Sequence, residues 1–183
     1  MNEKLVVNIY GGPGSGKSTT AAGVFCLLKI HEINCELVTE FAKDLTWEER
    51  HKTLNNQFYI LAKQYHKMWR LPDDIEVIIT DSPIIFASLY SEEEIIKQMA
   101  LHYFNNQNNL NFFLKRVKKY NPLGRSQTES EAKQIDLQNK QLLEDEDILY
   151  SIVDGNYTGA NIITNTILKK FNKKPIVNLV KDK

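Results

Sequence analysis

The chain has 183 residues, 42% hydrophobic and 25% charged, with 23 Lys+Arg balanced by 23 Asp+Glu. That content excludes a disordered chain, and zero net charge excludes a protein that coats nucleic acid through a surface basic all over. Cys26 and Cys35 form neither a CxxC unit nor a disulfide framework, and no apolar run is long enough to span a membrane, so a reduced, cytoplasmic protein with no membrane partner is expected.

A length of this order suits one domain that buries roughly 70% of its unfolded surface. Residues 4–10 (KLVVNIY) are a β-branched apolar run closed by Gly11 and Gly12, which predicts a buried strand and a turn. Ala21, Val24, Phe25 and Leu28 then recur at helical spacing over residues 17–30. Residues 35–39 (CELVT) are the second strand. Leu54, Phe58, Leu61, Tyr65 and Met68 predict a long helix over residues 47–71, stopped by Pro72. Residues 76–80 (EVIIT) are the third strand, cut by Asp81-Ser82-Pro83. Helices follow over 84–90 and 92–104, with Ser91 and Glu94 at capping-box spacing.

The Asn-rich residues 105–109 read as a loop and 110–114 (LNFFL) as the fourth strand. Residues 115–126 are basic and contain Pro122 and Gly124, which reads as a mobile loop. A helix over 129–147, a fifth strand over 150–153 and a closing helix over 159–171 complete the pattern; residues 173–183 are an edge strand or a frayed end. Strands alternating with helices predict an α/β, three-layer fold: a five-stranded parallel sheet, helices on both faces and a short basic lid, all in one domain over 1–183.

Gly11-Gly12-Pro13-Gly14-Ser15-Gly16-Lys17-Ser18 matches GxxxxGK[ST] between a predicted strand and a predicted helix, as a Walker A loop requires. The glycines let backbone N–H groups converge on phosphate oxygens, and the helix adds its positive N-terminal end. ATP is therefore the expected ligand of Gly12 to Thr19, with Lys17 on the β- and γ-phosphates and Ser18 on Mg²⁺. Thr19 and Thr20 begin the helix rather than touch metal.

In an open parallel sheet the ligand crevice lies beyond the carboxyl ends of the strands, where Glu40 and Asp81 fall. Asp81 after VIIT fits a Walker B carboxylate on Mg²⁺; the competing reading is an Asp that satisfies its own turn. Glu40 suits a base or orienter for an acceptor hydroxyl, and Lys43 a contact to an acceptor phosphate; alternatively Glu40 caps the helix holding Lys43 and Asp44. Lys115, Arg116, Lys118, Lys119 and Arg125 form the lid, about 115–128, whose arginines match phosphate oxygens. Gln57 and Gln64 lie on one predicted helix face with Phe58, Leu61 and Tyr65, as a base-reading surface or as an ordinary helix surface over core.

These residues together resemble a small P-loop kinase of the nucleoside and nucleotide kinase group. Tyr150-Ser151-Ile152-Val153-Asp154-Gly155 and the helix after it are similar to the end of nucleoside monophosphate kinases, which implies that Gly155 and Asn156 border the nucleobase of ATP. Glu40-Phe41-Ala42-Lys43-Asp44 resembles a segment of nicotinamide riboside kinase domains. Asn56-Gln57-Phe58-Tyr59-Ile60-Leu61 is similar to the deoxynucleoside kinase helix whose glutamine reads the base, and the strand-two glutamate of those enzymes is the catalytic base.

The arrangement also resembles single-domain bacteriophage P-loop ATP-binding proteins, which implies a phage origin and a host cytoplasm. The chain lacks the arginine that deoxynucleoside kinases carry after strand three and the full arginine set of adenylate kinases. The expected function is Mg²⁺-ATP-dependent transfer of a γ-phosphoryl group to a nucleoside, nucleotide or nucleoside-like acceptor, with a hydroxymethylated pyrimidine in phage DNA among the candidates. The alternative is a P-loop ATPase or nucleotide-gated switch acting on a protein partner.

Overall fold

The sheet is built from short, β-branched runs: β1 (Leu5–Tyr10), β2 (Cys35–Val38), β3 (Val77–Thr80), β4 (Asn108–Lys115) and β5 (Ser151–Asp154). Residues 4–121 and 128–175 are described by a computed structural model. The strands are parallel and lie in the order β2-β3-β1-β4-β5. Every residue of β1 and β3 is buried, which is why both read as continuous apolar runs instead of alternating ones.

On one face Leu5, Val7 and Ile9 pack with Ile79, Phe112 and Leu114 under α1 (Lys17–Ile30) and α8 (Tyr157–Lys170). On the other, Tyr10 and Phe113 lie under α4 (Gln57–Trp69), α5 (Ala87–Tyr90), α6 (Glu94–Asn105) and α7 (Glu129–Asp145). The molecule thus has three layers, and a fully buried side chain such as Ile79 contributes about 1.5–3 kcal/mol by leaving water.

The long helix expected over 47–71 is instead α2 (Phe41–Trp47), α3 (His51–Leu54) and α4. Glu49 takes a left-handed φ of 55°, and the Asn56 side chain accepts the Tyr59 N–H to start α4 afresh. Ser91 Oγ accepts the Glu93 N–H and makes no capping box; Glu93 is the N-cap of α6, without a side-chain bond. The fourth strand starts at Asn108, inside the expected loop, because Asn8 Nδ2 donates to Asn109 Oδ1 (2.8 Å) and Asn111 Oδ1 (3.0 Å) across β1–β4. Asn156 caps α8, which begins at Tyr157, two residues before its expected start. Residues 176–183 of the expected edge strand lie outside the described residues.

Candidate active site

Each strand ends on a residue singled out in the sequence: β1 runs into Gly11, β2 into Thr39-Glu40, β3 into Asp81, β4 into Arg116 and β5 into Gly155. The chain leaves β1 toward β2 on one side, and from the neighbouring β3 it crosses to β4 on the other, so these ends surround the crevice expected at such a switch point.

The phosphate loop is shaped for an anion. Gly16, at φ 104°, is the N-cap of α1 and has no side chain to bond the first-turn amides, and no acidic residue occupies that turn. Those N–H groups are left for an external oxyanion. A Cβ on Gly16 would sit 2.7 Å from the Gly155 carbonyl oxygen, and one on Gly155 would run into the Ser15 carbonyl, so the turn after β5 is fitted against the loop. Gly155 N–H also donates to Lys115 O at 2.9 Å.

Lys17 folds back over this loop, donating to Gly11 O (2.6 Å) and Gly12 O (3.3 Å). Desolvation lowers its pKa; Glu40, Asp81 and Asp136 pull it back up and Arg116 opposes them.

Ser18 Oγ donates to Asp81 Oδ2 at 2.6 Å. Asp81 is 3% exposed, and its buried Oδ1 has no partner. A hydroxyl oxygen beside a carboxylate with an unpartnered oxygen is a donor set that fits Mg²⁺, which takes a few protein oxygens and fills its shell with water and phosphate. Thr19 is exposed and Thr20 buried.

Glu40 is the N-cap of α2 in extended backbone, yet its side chain makes no cap bond. Burial raises its pKa, Lys17 and Lys43 pull it down, and Asp81 and Asp44 push it up. The Tyr90 phenol is pushed up to about 12 by desolvation first and the Glu40 charge second. Lys43 is exposed, and Asp44 pairs with Lys67 at 3.3 Å.

Arg116 does not extend into solvent. Its NH1 donates to Pro13 O (2.8 Å), while Nε and NH2 donate to Asp136 Oδ2 (3.1 and 2.8 Å). Asp136 Oδ1 accepts the Gly12 N–H at 2.5 Å. Tyr120 also lies on the loop: a Cβ on Gly14 would be 3.1 Å from its ring. Lys115, Lys118 and Lys119 are exposed; Arg125 lies outside the described residues.

The glutamines face the protein. Gln57 Nε2 donates to Leu54 O at 3.2 Å, and the buried Gln64 bonds the backbone at Phe41 N (3.0 Å) and Thr39 O (3.4 Å). Asn156 Oδ1 accepts Thr158 N–H and Gly159 N–H, at the mouth of α8 and next to Gly155.

A family model for an AAA domain matches residues 6–159. The chain belongs to this AAA-domain family. No curated protein matches it in sequence. Among solved structures, NadR protein in complex with NR is similar over 96% of this chain and 53% of its own, at TM-score 0.69 and 14% identity. The chain thus spans about half of that protein's length. Deoxyadenosine kinase from M. mycoides with bound dATP is similar at TM-score 0.53 and 18% identity, covering 92% of this chain and 100% of the kinase. The same kinase with products dCMP and a flexible dCDP gives 0.50 and 20%, over 91% and 98%. The AAA domain therefore has a small nucleoside-kinase-like P-loop fold.

Three residues of this AAA domain, Asp136, Tyr90 and Tyr120, lie at the site without having been singled out in the sequence. Asp136 shares one helical face with Ala132, Asn139 and Leu143, so a polar pair inside an otherwise buried stripe was its sequence signal. Tyr90 carried none beyond its place on the helix that follows Asp81.

Proposed function

We propose that the protein is a Mg²⁺-ATP-dependent kinase that transfers the γ-phosphoryl group to a hydroxyl of a nucleoside, nucleotide or nucleoside-like acceptor. The observation that carries this reading is the place of Glu40: it follows β2 at the carboxyl end of the sheet, beside the strand whose end carries Asp81, and its side chain makes no bond that caps α2. A group held that way suits proton transfer better than helix capping.

In this reading the loop from Gly12 to Thr19 holds the triphosphate through its backbone N–H groups other than that of Gly12, which Asp136 occupies, and Pro13, which has none. Lys17 leaves the loop carbonyls for the β- and γ-phosphates. Ser18 and Asp81 would hold Mg²⁺, which supplies charge neutralisation across the β- and γ-phosphates when bound. The acceptor oxygen attacks the γ-phosphorus as Glu40 takes its proton, and the bond to the β,γ-bridging oxygen breaks to release ADP. Arg116, held beside the loop by Asp136 and Pro13 O, offers guanidinium charge to the transferring group. Lys43 borders the acceptor, and Gly155 and Asn156 the adenine.

The fold likeness to a kinase solved with dATP and to NadR solved with NR supports a nucleoside-sized acceptor. Among the described residues no helix is long and apolar enough to cross a membrane, and we place the protein in the cytoplasm, that of the host if it is phage-encoded. A second reading, an ATPase or nucleotide-gated switch working on a protein partner, is favoured by the AAA-domain match. Incubation with γ-labelled ATP and panels of nucleosides, nucleotides, nicotinamide riboside and hydroxymethylated DNA separates the two. A labelled acceptor is the kinase outcome; free phosphate alone with every panel is the ATPase outcome and overturns the proposal.

A further inference from the structure

Gln64 is a buried, uncharged amide on α4, 4% exposed. Burying such a group is unfavourable unless both of its ends are bonded. Both are: Oε1 accepts the Phe41 N–H at 3.0 Å and Nε2 donates to Thr39 O at 3.4 Å. Residues 39 and 41 stand on either side of Glu40, so one planar amide bridges the peptide groups that precede and follow it. Phe41 opens α2, and its N–H has no partner within that helix. Gln64 thereby satisfies the N1 amide of α2, which an N-cap side chain, reaching to the N2 and N3 amides, does not serve.

We propose that Gln64 is a positioning residue for Glu40, fixing the peptide groups on either side of it and with them the place of the Glu40 side chain; this rests on the reading of Glu40 as the base. Lys67, one turn further along α4, reinforces the same point by donating to Thr39 O at 3.1 Å while pairing with Asp44 at 3.3 Å. Only a side chain with a donor and an acceptor on one plane serves both peptide groups: glutamate lacks the donor, and leucine lacks both. Misplacement of a base by ~1 Å is enough to slow transfer up to about a hundredfold.

The test is a double-mutant cycle with deoxyadenosine and nicotinamide riboside as acceptors, joined to amide exchange, which needs no acceptor. Gln64→Leu and the milder Gln64→Glu are each made alone and with Glu40→Gln. Each alone should lower kcat about tenfold or more with KM for ATP unchanged, and in the Glu40→Gln background neither should lower it further. Exchange at the Phe41 N–H should accelerate in Gln64→Leu.

Equal losses with and without the Glu40 carboxylate, or a wild-type kcat in both Gln64 variants, would overturn the positioning role, as would unchanged exchange at Phe41. A wild-type rate in Glu40→Gln alone, or no labelled acceptor from the unaltered protein with any of the nucleoside, nucleotide, nicotinamide riboside or DNA panels, overturns the base reading itself. In that case the exchange measurement still reports whether Gln64 holds the turn.

Discussion

Asp136 Oδ1 accepts the Gly12 N–H at 2.5 Å, so a carboxylate from α7 occupies an amide of the phosphate loop. Its other oxygen holds Arg116, whose NH1 reaches Pro13 O. The pair is mostly buried, with side chains 11% and 17% exposed. Breaking such a pair from one side leaves an uncompensated charge. Asp136→Ala should therefore cost about 3 kcal/mol in denaturant unfolding and weaken ATP binding. Unchanged stability together with unchanged ATP affinity would show that the contact does not hold the loop.

Glu40 gives the pH dependence its sign. Burial first, and Asp81 among its neighbours, hold its pKa above the ordinary 4.5, and a base acts only when ionised. The acid limb of kcat/KM should accordingly fall at a pH above that of an unperturbed carboxylate, and Glu40→Gln should abolish the limb while sparing ATP binding. For stability the native state binds this proton more tightly than the unfolded chain. Its contribution is complete below 4.5 and is lost as pH rises through the raised native value. Glu40→Gln should thus unfold at a higher temperature than wild type at pH 7.

Asp81 and Ser18 separate metal binding from folding. Asp81→Asn keeps the shape but lowers the charge of the donor pair, so the Mg²⁺ concentration for half-maximal turnover should rise about tenfold or more. Ser18→Ala should act in the same direction. A Mg²⁺ titration that coincides with wild type in both variants would remove these residues from the metal.

Gly155 is tested by one methyl group. A Cβ there meets the Ser15 carbonyl, so Gly155→Ala should push the loop and cost about 1–3 kcal/mol, with a raised KM for ATP. Thermal unfolding and ATP titration read the two effects together, and a loss of stability with unaltered KM would confine Gly155 to packing.

The legible part of this fold was whatever is buried on both sides. β1, broken only by Asn8, and β3 up to Thr80 read as apolar runs and α1 as an apolar stripe at the residues it occupies, because burial leaves the sequence little choice. The phosphate loop was legible for a different reason: its backbone conformation and its chemistry both require particular residues.

Features that depend on a single side-chain bond were not legible. The Asn56 bond that divides the expected helix, the Asn8–Asn111 bond that extends β4 into Asn-rich sequence, and the Asp136 reach to Gly12 each join a polar residue to a partner whose proximity only the folded chain creates. Gln64 shows the same limit in reverse: spacing placed it on a face, and the structure turned its amide to the backbone beside Glu40.

The central claim is that the γ-phosphoryl group goes to an acceptor through Glu40, with Lys17 and the loop holding ATP. The most direct measurement is the partition of γ-label between nucleoside-type acceptors and free phosphate, compared for wild type, Lys17→Ala and Glu40→Gln. Wild type should label an acceptor, Lys17→Ala should lose ATP binding and all turnover, and Glu40→Gln should bind ATP but transfer about a hundredfold more slowly. Free phosphate as the sole product of the wild-type protein, or transfer by Glu40→Gln at the wild-type rate, would contradict it.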